Sequence, residues 1–210
     1  KIGVVFVIDT TVSMEPYILQ TLDVVENLVT TLETSARGDR VDFGLVGFRD
    51  NPAGRPGVDY AARTYLPLSP DNRLQDIVEV LANVQEAEGS TRGFAEDGLA
   101  GFVEAMETDA WDDYDGRIVL YIGDSPVKEG AEGGGTTGLT VDQVSLRARR
   151  DHGVIPMTVL LETAAGQAYH AIAAEQLARL AYQGGGGDPL FFRVQGGEEA
   201  DFNELLSVLT

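Results

Sequence analysis

Asp9, Thr11 and Ser13 place a carboxylate and two hydroxyls at alternate positions directly after an apolar run, Ile2 to Ile8. A second carboxylate, Asp124, follows another such run, Arg117 to Gly123. Between them in sequence, Ser90 and Thr91 offer further hydroxyls in the stretch Gly89 to Gly93, just ahead of a helical pattern. Oxygen atoms of this kind suit a hard dication, since Mg²⁺ keeps several waters and takes only one or two carboxylates. Each piece also has an ordinary use. Asp9-Thr10-Thr11 before a helix is a common N-cap arrangement, and Asp124-Ser125-Pro126 by itself reads as a turn. What sets the two segments apart is their shared position at strand ends.

The elements that must hold them there can be read from apolar periodicity. Runs rich in β-branched residues predict buried strands over 2–8, 41–48 and 117–123. Further strands are expected over 64–68, 154–161 and 190–194, with Pro67 demoting the first of these to an edge. Apolar residues at helical spacing predict helices over about 16–34, 72–84, 96–107, 141–152, 169–183 and 198–209. Strands alternating with helices imply an α/β fold, doubly wound and Rossmann-like. The expected architecture is a three-layer sandwich: a mostly parallel central sheet with one short antiparallel edge strand, and helices on both faces. In open sheets of this type ligands bind beyond the carboxyl ends of the strands, where Asp9 and Asp124 stand. No repeat or linker divides the chain, so residues 1–210 read as a single domain. Lys1 opens straight into an apolar run without an initiator Met, so the chain is expected to be a fragment of a longer polypeptide.

Composition narrows the functional classes. A chain of 210 residues can bury a core without disulfides. Its formal net charge of −19 repels phosphate backbones and anionic headgroups. Neither nucleic acid nor a membrane is therefore an expected partner, and no apolar run approaches the roughly 18–20 residues of a spanning helix. The absence of Cys excludes thiol catalysis and thiolate zinc sites. His152 and His170 are expected far from the strand-end aspartates, His152 at a helix end where positive charge is favourable. Arg147, Arg149 and Arg150 read as a solvated cationic helix end. Gly184 to Gly187 lacks the Lys and Ser/Thr of a phosphate loop and precedes a strand, so it reads as a turn. Residues 129–138 carry five Gly and are expected to form a mobile loop. Trp111 and Tyr114, set among Asp109, Asp112, Asp113 and Asp115, read as an exposed acidic connector.

Asp9-Thr10-Thr11-Val12-Ser13 resembles the Asp-x-Ser-x-Ser motif of von Willebrand factor A (VWA) domains, and Met14 and the preceding strand match as well. Phe43–Phe48 is similar to the family's second strand and Arg117–Asp124 to its fourth. The resemblance implies a metal-ion-dependent adhesion site (MIDAS) at Asp9, Thr11, Ser13 and Asp124, with a loop hydroxyl from Thr91 or alternatively Ser90. It implies Mg²⁺, or Mn²⁺ or Ca²⁺, and a protein partner whose Asp or Glu completes the coordination. No catalytic residue is implied. Thr11 stands where Ser is usual, and Val12 where Gly is frequent. Residues 9–18, Gly47-Phe48-Arg49, Glu86 to Glu88, Phe94 to Gly101 and Val194 to Gly197 resemble, more narrowly, the C-terminal VWA region of bacterial type VI secretion serine/threonine kinases. That likeness implies a periplasmic domain of a parent anchored in the inner membrane. These residues contain no kinase motif. Two alternatives stand beside this reading. One is a metal-assisted phosphatase of haloacid dehalogenase-like type, with Asp9 as nucleophile. It would need an acid at position 11, where Thr stands, and a Lys, for which Lys128 is the only candidate. The other is a degenerate VWA scaffold that binds no metal. The partner's identity, the preferred metal and the oligomeric state are open from sequence.

Overall fold

The computed structural model describes residues 1–12, 14, 21, 25–26, 30, 41–53, 55–84, 93–184 and 187–195. Six strands pair into one sheet: β1 (Ile2–Asp9), β2 (Val41–Phe48), β3 (Ala62–Ser69), β4 (Gly116–Gly123), β5 (Ile155–Glu162) and β6 (Phe191–Gln195). Their order is β3-β2-β1-β4-β5-β6. Every neighbouring pair is parallel except β2 with β3, so the edge strand carrying Pro67 is the antiparallel one, as expected. From β1 the chain winds out through β2 to β3, then returns to the centre as β4 and winds the other way. β1 and β4 therefore lie side by side, with Ile8 opposite Ile122. The order reverses between them, and in doubly wound sheets a crevice opens beyond the strand ends at that point.

The two-residue period of β1 explains how one strand serves two cores. Val5 and Val7 enter one apolar cluster, while Val4, Phe6 and Ile8 enter the other. With both faces covered the strand needs no polar alternation, which is why it reads as an unbroken apolar run. Among the described residues, four helices with complete bounds supply covering layers: α1 (Leu74–Asn83), α2 (Gly98–Met106), α3 (Val141–Arg150) and α4 (His170–Leu180). Leu99, Phe102 and Met106 of α2, Val144 of α3 and Leu177 of α4 pack into the first cluster; Ile77 and Leu81 of α1 pack into the second. α3 starts at a capping box in which Gln143 Oε1 accepts from Thr140 N at 2.8 Å and Thr140 Oγ1 accepts from Gln143 N at 3.3 Å. The helix expected over 16–34 lies mostly outside the described residues, of which Thr21, Val25, Glu26 and Thr30 are helical. The one expected over 198–209 lies wholly outside them. No described helix is long and apolar enough to cross a membrane.

Two expectations need correcting. Trp111 and Tyr114 are not an exposed connector: they are 2% and 4% exposed. Thr108 caps a short 3₁₀ turn, Asp109–Asp113, whose tight period leaves Asp109, Asp112 and Asp113 outside and turns Trp111 inward. The indole Nε1 donates to Ala105 O at 2.9 Å, so the ring is buried with its one polar atom satisfied. The glycine-rich segment is likewise tied down. Gly130 N donates to Leu139 O at 2.7 Å, Asn51 Nδ2 to Gly134 O at 3.0 Å, and Thr136 N and Oγ1 both to Asp97 Oδ2 at 2.7 Å.

Candidate metal centre

Parallel pairing of β1 with β4 brings Asp9 and Asp124 to the same edge of the sheet, both fully buried. Asp9 Oδ1 accepts two hydrogen bonds from Thr11, from the backbone N at 2.8 Å and from Oγ1 at 2.6 Å. Asp9 Oδ2 accepts none from the described residues. Asp124 Oδ2 accepts from Thr163 Oγ1 at 2.9 Å, and Thr163 Oγ1 in turn accepts from Gly166 N at 3.0 Å. The loop that carries Thr11 is fastened to β2, with Thr10 N and Oγ1 each donating to Phe48 O at 3.0 Å. Thr10 Oγ1 also meets Tyr60 OH at 2.8 Å. The Tyr60 ring lies against two guanidinium groups, Arg49 at 4.5 Å and Arg63 at 4.3 Å.

Burial is the main force on the Asp9 carboxyl, and the negative charge of Asp124 adds to it; together they push its pKa up to about 8. The hydrogen bonds from Thr11 pull the other way without overcoming this. Ser125, also buried, is close enough to favour the ionised form of Asp9, although its Oγ meets no acceptor in hydrogen-bond geometry. Tyr121 OH lies buried beneath, without a partner; burial and then the charges of Asp9, Asp124, Glu96 and Asp97 raise its pKa well above the usual phenol value. Two buried carboxyl groups whose charges oppose one another, one with an orphaned acceptor oxygen, form an arrangement that a proton or a cation relieves. The donor set fits a hard dication. Among the described residues no three Asp, Glu or His side chains converge as a metal-binding group, so two carboxylates and hydroxyls are what this edge provides.

Of the residues expected at the site, the fold brings Asp9, Thr11 and Asp124 together. Ser13, Ser90 and Thr91 lie outside the described residues. Lys128, the candidate for phosphatase chemistry, pairs with Asp50, as does Arg55. Burial lowers its pKa, with the Arg55 charge adding to the effect. His170 was expected far from the strand-end aspartates, and this needs correction. A Cβ placed on Gly166 would lie 2.9 Å from both Asp124 O and His170 Nε2. The cause is topological: β5 neighbours β4, so the loop from β5 into α4 runs beside Asp124. Thr163 was missed for the same reason, although it stands directly after β5, and the rule that exposed Asp9 and Asp124 points to it as well.

The model of the von Willebrand factor type A domain matches residues 3–195 of the sequence. The chain belongs to that family. VWA domains commonly act as protein-interaction modules and are generally not enzymes. Among solved structures, this VWA domain is similar to the pilus adhesin SpaC of Lactobacillus rhamnosus GG in its open conformation. The TM-score is 0.67 at 14% identity, over 99% of this chain and 29% of SpaC. It is also similar to proximal thread matrix protein 1 of the mussel byssus, with a TM-score of 0.60 at 13% identity, over 99% of this chain and 45% of that one. The chain thus spans less than half of either protein, and at these identities the likeness speaks for the fold alone. No curated protein matches the chain.

Proposed function

We propose that this VWA domain is a metal-dependent binding module in which a divalent cation, Mg²⁺ or else Mn²⁺ or Ca²⁺, accepts an Asp or Glu of a partner protein. Asp9, Thr11, Ser13 and Asp124 would hold the ion, with Thr91 or Ser90 supplying the loop hydroxyl. The observation that carries this reading is the buried, unpartnered Oδ2 of Asp9 beside Asp124. With few charged ligands the ion would stay electrophilic towards a further carboxylate. Thr11 occupies Oδ1 of Asp9 and so leaves Oδ2 as the free donor. Thr163 orients Asp124 from the opposite side. The narrower sequence likeness supports a place for the module in the periplasmic part of a type VI secretion-associated serine/threonine kinase.

Calorimetric titration with MgCl₂, MnCl₂ and CaCl₂ tests the reading. Binding is expected to release a proton near neutral pH, because the ion displaces the one that burial keeps on Asp9. The measured heat should therefore vary with the ionisation enthalpy of the buffer. Asp9→Ala should abolish binding; an Asp9→Ala protein that binds Mg²⁺ as the parent does would refute the site.

A further inference from the structure

We propose that the partner segment reaching this ion carries an aromatic or bulky aliphatic side chain next to its Asp or Glu, seated on an uncharged ledge made by Val12, Phe94, Tyr169 and Ile172. The inference rests on the metal-dependent reading and names the kind of partner that site would select. A chain of hydrogen bonds places the ledge. Tyr169 N donates to Gly166 O at 2.8 Å, Gly166 N to Thr163 Oγ1 at 3.0 Å, and Thr163 Oγ1 to Asp124 Oδ2 at 2.9 Å. Phe94 arrives from another segment, fixed where Glu96 N donates to Pro126 O at 2.9 Å, two residues past Asp124. The Phe94 and Tyr169 rings lie parallel, with centroids 5.0 Å apart and 4° between planes. Val12 sits in the Asp9 loop itself.

Tyr169 at 40% and Ile172 at 53% stand exposed three residues apart at the start of α4, and Val12 stands exposed at 39% in the Asp9 loop. Elsewhere among the described residues only Leu146 and Ile155 are comparably exposed. Scattered singly such residues mean little, but grouped at a binding edge they mark an interaction surface. Charge gives the second, independent observation. Residues 163–174 form the longest stretch of the chain without Asp, Glu, Lys or Arg. At the overall 23% of charged residues, twelve positions would carry about three charges. In a chain of net charge −19 an acidic partner is repelled from most of the surface. The 163–174 segment beside Asp124 adds no charge of its own to that repulsion and offers apolar area instead. Ala164, Ala165 and Ala168 are exposed on the same loop and keep the ledge low. The stacked pair is already assembled, so an incoming ring pays little ordering cost.

The test compares two capped peptides, Gly-Asp-Phe-Gly and Gly-Asp-Ala-Gly, titrated into the ¹⁵N-labelled protein with saturating MgCl₂ and followed by amide chemical shifts. The Phe peptide should bind roughly two- to tenfold more tightly, the worth of one aromatic contact. Tyr169→Ala should remove that preference. Ala168→Glu, an exposed change that places a charge on the ledge, should weaken both peptides. Tyr169→Ala, which changes no charge, should leave the Mg²⁺ affinity measured by calorimetry unaltered. Equal binding of the two peptides, no binding of either, or a preference that survives Tyr169→Ala, each with Mg²⁺ binding intact, overturns the ledge. Loss of Mg²⁺ binding by the parent protein itself overturns the metal reading beneath it.

Discussion

Asp9→Asn should make the metal-free protein more stable while destroying its response to Mg²⁺. The folded-state pKa of Asp9 is raised to about 8 from its ordinary value of 3.8. A carboxyl whose pKa is raised on folding stabilises the protein fully below its unfolded pKa, and that contribution is lost as pH rises towards the folded value. The loss therefore runs from about pH 4 to about pH 8. At pH 7 some three pH units of it have accrued, at about 1.4 kcal/mol each, or on the order of 4 kcal/mol. Asn is neutral and isosteric. Its carbonyl oxygen can keep the bonds from Thr11, and its amide can face Asp124 where Oδ2 now stands without a donor. Most of the penalty should then vanish, raising Tm by about 5–15 °C at two to four degrees per kcal/mol for a chain of this length. Differential scanning calorimetry in EDTA and in millimolar MgCl₂, at pH 5 and at pH 8, makes the measurement. The parent should lose stability between pH 5 and pH 8 in EDTA and recover it with Mg²⁺. The Asn variant should show neither effect. An Asn variant less stable than the parent in EDTA at pH 8 would refute the account of Asp9 as a carboxyl group whose ionisation burial and Asp124 oppose.

Thr163→Val removes the donor to Asp124 and the acceptor for Gly166 N together, so calorimetry should find Mg²⁺ affinity reduced about tenfold, as for groups that orient metal ligands; an unchanged affinity would remove Thr163 from the site. A Cβ on Gly98 would lie within 2.5 Å of Tyr121 OH, so Gly98→Ala should cost about 1–3 kcal/mol in urea unfolding. Tyr121→Phe should be close to neutral because its hydroxyl has no partner, and the double variant should recover much of the loss. Additive costs in that cycle would mean that the clash lies elsewhere.

The strands and their order along the chain were legible because a strand buried on both faces must be apolar throughout, and the two central runs stop at a carboxylate. Ile8 to Asp9 and Gly123 to Asp124 are such stops, and they marked both carboxylates of the site. Pro67 announced the edge by the hydrogen bond it cannot donate. Local pattern failed where burial was settled by distant segments. Trp111 and Tyr114 sit among four aspartates in sequence, yet a single 3₁₀ turn separates them in space, leaving the acids in water and the rings against Gly3 of β1. Thr163 and His170 come near Asp124 only because β5 pairs with β4, a choice no spacing within either strand records. The raised pKa of Asp9 is of the same kind. A carboxylate's sequence neighbours do not state whether water reaches it, nor which other charge, here one 115 positions away, shares its pocket. Residue type decided what the site could bind; pairing of β1 with β4 decided that the two acids meet.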